Sequence, residues 1–343
     1  MVMEPLQKES IQALKALVDE SSKVAVVGHS HPDGDALGCT SALAVFLQCA
    51  CGKDAACVFP DVPAENLQFL LSAPVPFLFL DREPEPALRR IREADLICLL
   101  DCNNFSRTDG LQEALAASRA PKILVDHHLN PDREAFDLVF SVQDISSASE
   151  LLYWILKELN GADLPVTIGT PLMAGMTTDT NNFANSVYPS TFRMASELLA
   201  AGVNRDALLL RLFSSYRENR VRLMGYMQNE GLHLLPCGAA YMILTKDIQE
   251  RFDFRKGETE GLVNIPLTIA SVRLSVFLKE DDGHFRVSVR SKTGTSAQQL
   301  AHRFFHGGGH ENASGGKLLI GEDIATAADA SAYVENAIKT FLS

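Results

Sequence analysis

No apolar run in this chain approaches the roughly 20 residues that a membrane-spanning helix requires, which argues against a helical membrane protein. The stretch from Met1 to Glu20 carries acids and has no signal-peptide apolar segment, so a cytoplasmic protein is expected. Positive charge is scarce, with 31 Lys and Arg against 43 Asp and Glu and a formal charge of −12. That balance speaks against a protein that tracks long DNA or RNA by neutralising many phosphates. A small anionic substrate held by a few local cations remains open. Cysteine is sparse and unpaired: seven residues, with no paired CxxC spacing, fit reduced thiols rather than a disulfide framework or a structural zinc site. Cys49 and Cys51 fall in an apolar, helix-like stretch and read as core filler. Low-complexity linkers and internal repeats are also missing.

What is present suffices for two domains: 343 residues with 46% hydrophobic content. The acidity is uneven. Residues 1–236 carry 19 basic against 30 acidic side chains, a net −11, whereas 237–343 are near balance at −1. The first part alternates short apolar runs with helical stretches, the pattern of a parallel sheet covered by helices on both faces. Lys23 to Gly28, Asp95 to Leu100 and Lys122 to Val125 read as buried strands, and Ala36 to Leu47 as a buried helix. Ser147 to Glu150 has capping-box spacing before a helix ending near Asn160-Gly161. Pro189 to about Leu235 reads as helical. A strand near Ala240 to Thr245 and a hairpin turning at Asp282-Gly283 open a smaller α/β domain. A helix over Ser296 to Phe305, a glycine-rich loop and a closing helix from Ile324 to Phe341 complete it. The expected division is a catalytic domain at 1–188, a helical connector at 189–236 and a substrate-binding domain at 237–343.

The chemistry lies where strands end. His29-Ser30-His31-Pro32-Asp33-Gly34-Asp35 follows the first strand, and Pro32 and Gly34 force an irregular turn that can aim several side chains at one point. Asp101 follows the second apolar run and Asp126-His127-His128 the third. Asp179, within Thr177-Thr178-Asp179-Thr180, adds an acid after another apolar stretch. Ligands in open α/β sheets bind beyond the carboxyl ends of the strands. Acids packed so closely repel one another unless a cation neutralises them. Carboxylates and imidazoles without thiolates suit Mn²⁺ or Mg²⁺, with Fe or Co open, better than structural zinc. Two ions about 4 Å apart are a common device for hydrolysing phosphate esters.

HSHPDGDALG, LLDCNN, VDHH and TTDT, in that order, resemble the four motifs of the DHH phosphoesterase family, and the likeness covers nearly the whole chain. The resemblance implies two divalent cations, Mn²⁺ first with Mg²⁺ or Co²⁺ open. His29 and Asp33 would bind the first, Asp35, His127 and Asp179 the second, and Asp101 would bridge and serve catalysis. His128 would stay unligated and support the reacting phosphate. Downstream, VSVRSK and GGGH resemble the DHH-associated domain. They imply substrate contacts from Arg290, Ser291, Gly308, Gly309 and His310. Within the family, the combination resembles bacterial oligoribonuclease/pAp phosphatases. The implied substrates are therefore short oligoribonucleotides or 3′-phosphoadenosine 5′-phosphate (pAp), with no long nucleic acid and no membrane partner; the oligomeric state expected is a homodimer. A DHH-type inorganic pyrophosphatase and a non-catalytic nucleotide sensor are the alternatives. Three departures from the family pattern stand out. Cys39 replaces a serine and should face helix packing; Asn181-Asn182 replace a glycine and would alter the pocket wall; His306 replaces the first of four glycines and would narrow the loop.

Overall fold

The computed structural model describes residues 6–343, the side chain of His310 excepted. The chain forms two compact units, one ending at Ser215 and the other comprising Tyr216–Ser343. In the first unit the strands are β1 (Lys23–Val27), β2 (Asp54–Phe59), β3 (Phe77–Phe79), β4 (Leu96–Leu100), β5 (Lys122–Asp126) and β6 (Leu138–Ser141). The helices are α1 (Lys8–Glu20), α2 (Gly34–Cys49), α3 (Pro84–Glu93), α4 (Gln112–Ala117), α5 (Ala148–Asn160), α6 (Val166–Asp179), α7 (Pro189–Ala200) and α8 (Arg205–Phe213).

The sheet is parallel throughout, in the order β3-β2-β1-β4-β5-β6. Strands buried on both faces need apolar residues at odd and even positions alike, which is why β1 and β4 read as unbroken apolar runs. Val24, Val26, Leu96 and Leu100 pack against α1, α2 and α5 on one face. Ala25, Val27, Ile97 and Leu99 meet Ala87 and Ile91 of α3 and Leu115 of α4 on the other. This is the α/β fold with helices on both faces that the sequence pattern implies. Strand order reverses between β1 and β4, so the loops that leave these neighbours diverge and open a crevice at their carboxyl ends.

Helices α2 and α6 cross closely. A Cβ on Gly38 would lie 2.4 Å from the carbonyl oxygen of Pro171 and 3.0 Å from Gly175 N, while one on Gly175 would lie 2.0 Å from Ser149 Oγ. Only glycine allows this approach. It brings Gly34, at the start of α2, against Thr178 near the end of α6. The start of α5 is capped by Ser147, whose Oγ accepts from Glu150 N at 3.0 Å. The other half of the expected box differs: the buried Glu150 carboxylate turns to Ser146 and to Thr191 Oγ1 at 2.7 Å. A fully buried acid gains more from two hydroxyls and an amide than from a single backbone N–H.

The second unit contains α9 (Glu218–Asn229), β7 (His233–Leu235), β8 (Ala239–Leu244), α10 (Lys246–Arg251), β9 (Leu274–Asp281), β10 (His284–Ser291), α11 (Ala297–Phe304), β11 (Gly308–His310), β12 (Ala313–Leu319) and α12 (Ala330–Leu342). Its sheet runs β11-β12-β10-β9-β8-β7, parallel only between β8 and β9. Two expectations change here. The glycine-rich segment is the edge strand β11 rather than a loop. A side chain on Gly307 would lie 2.0 Å from the carbonyl oxygen of Gly315, so that glycine is fixed by contact with β12. The closing helix begins at Ala330, after Ile324 has entered the core and bridged to Ile320. The helical stretch at 189–236 is shared: α7 and α8 belong to the first unit and α9 to the second.

Candidate metal centre

Four aspartates and two histidines meet at the reversal point of the parallel sheet. His29 leaves β1 and its Nδ1 donates to the carbonyl of Ser30 at 2.8 Å, which directs Nε2 inward. That Nε2 lies 3.4 Å from Asp101 Oδ2 and 3.8 Å from Asp33 Oδ1. Asp33 is the N-cap of α2, with Oδ1 accepting from the amides of Asp35 and Ala36 at 3.0 Å each. The turn thus satisfies the helix end and fixes a carboxylate beside His29.

Asp35 is held from another direction. Its two oxygens accept from Ala148 N at 2.7 Å and Ser149 N at 2.9 Å, the first amides of α5. His127, just past β5, places Nε2 3.4 Å from Asp101 Oδ1, 3.6 Å from Asp179 Oδ2 and 4.0 Å from Asp35 Oδ2. Asp179 ends α6, and the α2–α6 crossing sets it against the turn that carries Asp33 and Asp35.

Asp101 links the two groups, because each of its oxygens faces a different histidine. It is 2% exposed and adopts φ 56°, a left-handed conformation that non-glycine residues hold at a cost. His29-Asp33-Asp101 and Asp35-His127-Asp179 each bring their ligand atoms within 4.8 Å of one another. His29 Nε2 and Asp101 Oδ1 are buried without hydrogen-bond partners. Orphaned donors and acceptors aimed into one acidic pocket fit cations better than they fit a closed hydrogen-bond network.

The protons follow the same logic. Burial opposes a charged imidazole, yet Asp101 and Asp33 override it at His29, raising its pKa to about 9. His127 is likewise raised, to about 10, against its burial, by Asp101, Asp179 and Asp35. Burial and the neighbouring acids lift Asp179 to about 7 and push Asp35 well above the carboxylate range. Burial also disfavours charge on Asp101, but His127 and His29 hold its carboxyl well below that range.

His128 packs edge-on against the His127 ring, with centroids 4.7 Å apart, and its Nδ1 lies 3.6 Å from Asp101 Oδ1. Its Nδ1 donates to Asp126 Oδ1 at 2.8 Å and its backbone N to Asp126 Oδ2 at 3.0 Å. Its Nε2 accepts from Arg107 Nη1 at 2.9 Å. Arg107 escaped the sequence reading, which stopped at Asn104; a cation six residues beyond Asp101 in an acidic stretch was the available signal. Asp126 was seen, but its grip on His128 depends on side-chain direction. His31, also with positive φ, donates its backbone N–H to Asp61 Oδ2 at 2.6 Å.

The residues expected to touch substrate lie in the second unit. Arg290 and Gly309 approach each other across β12: Arg290 Nη1 donates to Ser314 O at 3.4 Å, and Ser314 pairs with Gly309. Burial lowers the Arg290 pKa. A Cβ on Gly308 would meet open space. The Ser291 hydroxyl donates to Thr295 O at 2.6 Å and accepts from Asn312 Nδ2 at 3.0 Å, so it braces the turn after β10. The side chain of His310 lies outside the described residues. Among the departures, Cys39 is buried in α2 as expected. Asn181 and Asn182 have φ 47° and 56°, values that asparagine tolerates better than most residues. His306 pairs with Asp323 at 2.9 Å.

Fold and site together define an α/β protein with a carboxylate–imidazole centre able to hold metal ions, joined to a mixed-sheet second unit. The model of the DHH family, N-terminal domain, matches residues 23–176, and that of the DHHA1 domain matches 239–339. The chain belongs to the DHH family. It is 34% identical to a probable bifunctional oligoribonuclease and PAP phosphatase NrnA of Streptococcus mutans, over 68% of this chain and 74% of that protein. A crystal structure of an exopolyphosphatase-related protein from Bacteroides fragilis superposes with a TM-score of 0.91 at 34% identity, covering 98% of this chain and 97% of the other. A probable manganese-dependent inorganic pyrophosphatase of Streptococcus mutans is 31% identical over 46% of this chain and 48% of its own length.

Proposed function

We propose that this chain is a metal-dependent phosphoesterase that hydrolyses very short RNA oligonucleotides to nucleoside 5′-monophosphates and pAp to AMP. The observation that carries the reading is the pair of ligand groups joined at Asp101. In this reading two divalent cations, Mn²⁺ before Mg²⁺ or Co²⁺, are held by His29, Asp33, Asp35, Asp101, His127 and Asp179. Bound there, they supply the positive charge that activates water and polarises phosphoryl oxygens.

Both substrates break the same bond. Water adds to phosphorus, the P–O3′ bond breaks, and the 3′-oxygen leaves with a proton. Asp126 holds His128 in one orientation, so its ring can support the charge on the phosphoryl group without reorganising. Arg290, Gly308, Gly309 and His310 are proposed as substrate contacts; Ser291 serves by bracing their turn. The protein works as a cytoplasmic enzyme, with homodimerisation part of the proposal.

The likeness to the oligoribonuclease and PAP phosphatase extends over more of the chain than the likeness to the pyrophosphatase, which supports a nucleotide over pyrophosphate. The six proposed ligand side chains fall into groups that could hold metal ions, which supports turnover over sensing. The test is product analysis with pAp, two- to five-residue RNA and pyrophosphate, each with Mn²⁺, Mg²⁺ and Co²⁺. Release of AMP and nucleoside 5′-monophosphates is expected. Preferential cleavage of pyrophosphate would overturn the reading. Asp101→Ala and His128→Ala should each remove Mn²⁺-dependent turnover while the protein stays folded by circular dichroism.

A further inference from the structure

Arg107 stands beside the acidic centre, yet among the described residues it forms no ion pair with any carboxylate. A guanidinium carries five N–H donors and normally takes an acid as a fork. Here Nη1 donates instead to the His128 ring nitrogen Nε2 at 2.9 Å. Of the nearby carboxylates, Asp126 is engaged by His128, and Asp101 faces the imidazoles of His29 and His127 at 3.4 Å each. The remaining N–H groups of Arg107 are therefore left for something anionic that is not protein.

The segment that carries Arg107 is fastened to both motif-bearing loops. Its carbonyl accepts from Ser30 N at 2.8 Å, in the turn after β1. Asn104 caps the short helical segment by accepting from Ser106 N at 2.9 Å, and the ring of Phe105 packs 5.2 Å from that of Phe136. Asn103 joins it to the loop beyond His128, with Nδ2 donating to Leu129 O and its carbonyl accepting from Asp132 N, both at 2.9 Å. An arginine so placed can meet an anion at the centre with little reorganisation.

We propose that Arg107, held in place by His128, is a substrate-binding residue whose remaining N–H groups grip the oxygens of the scissile phosphoryl group. This rests on the phosphoesterase reading and adds to it a cation supplied by the first unit itself. It also answers an electrostatic need: a multiply charged phosphoryl group must approach a pocket of four aspartates, and a fixed guanidinium at its edge offsets part of that repulsion.

The experiment compares full-length, Mn²⁺-loaded wild type with Arg107→Ala and Arg107→Lys on pAp and on a dinucleotide. It also measures the binding of inorganic phosphate by calorimetry. Arg107→Ala should lose about 10²-fold in kcat/KM, the scale of one phosphoryl-directed donor, and should bind phosphate correspondingly more weakly. Unfolding temperature and Mn²⁺ affinity should match wild type. Arg107→Lys should recover only part, since an ammonium cannot fork, and added guanidinium should rescue Arg107→Ala. Unchanged kinetics and phosphate binding in Arg107→Ala would overturn the inference while leaving the phosphoesterase reading intact. A loss that follows weakened Mn²⁺ binding and ignores added guanidinium would also overturn it. If wild type hydrolyses neither substrate, the phosphoesterase reading falls, and phosphate binding alone decides the role of Arg107.

Discussion

Asp101 concentrates the centre's electrostatics in one side chain, and the charges around it give the metal-free protein a defined response to pH. His29 keeps its proton up to about 9 and His127 up to about 10, both from an ordinary 6.5, while Asp179 keeps its own to about 7. A group whose pKa is raised by folding stabilises the folded chain while protonated and loses that contribution as pH rises through the folded value. The folded chain therefore binds more protons than the unfolded one at all three sites, and its stability falls with rising pH. With chelator present, the unfolding temperature should decrease steadily from pH 7 to pH 10; a flat profile would contradict the assembled centre. Cation ligands must be deprotonated, so Mn²⁺ binding at neutral pH should release protons. Calorimetry in buffers of different ionisation enthalpy measures that release directly. The six candidate ligand positions stood out in the sequence because each stands at a break between an apolar run and a polar turn. Arg107 was not, since its partner His128 is 21 residues away and only the side-chain bond reveals the pairing.

At the scale of elements, the geometry of the centre depends on how closely α2 and α6 approach. Gly38→Ala would force a Cβ to within 2.4 Å of the carbonyl oxygen of Pro171. The helices would have to separate, at a cost of roughly 1–3 kcal/mol for an overpacked contact, and Asp33 and Asp35 would move away from Asp179. Thermal unfolding together with Mn²⁺ titration should show both losses. Gly225 in α9 is the contrast, because a Cβ there meets nothing within 4 Å. Gly225→Ala should stabilise the chain by about 0.5–1 kcal/mol, as expected for an exposed helical glycine; destabilisation would show that this surface is covered. Strands β1, β4 and β5 were readable from unbroken apolar runs. β2, with two alanines and a cysteine, gave a weak strand signal, and β3 and β6 are short strands at the sheet's edges. Strand β11 was misread because glycines that suit a turn also suit a strand pressed against a neighbouring backbone.

Across the whole molecule, the acidic excess lies almost entirely before residue 237, in the part that also carries the candidate metal ligands. With a net charge of −12 and no basic surplus, counterion release has little to offer a long strand. The rate on RNA of about 20 residues should therefore be at least ~10-fold below that on two- to five-residue RNA, because binding along a chain depends on many phosphate contacts. Gel analysis of both substrates at equal concentration tests this, and equal rates would refute it. The sequence by itself determined the α/β class and the identity of the candidate ligands, since apolar periodicity and turn chemistry are properties of neighbours along the chain. Only the tertiary structure decided that Asp101 faces both histidines, that Asp35 caps a helix 113 residues away, and that Arg107 meets His128. Those relations follow from the order of strands in the sheet and from a helix crossing that glycine alone allows, and both are set by residues far apart in sequence.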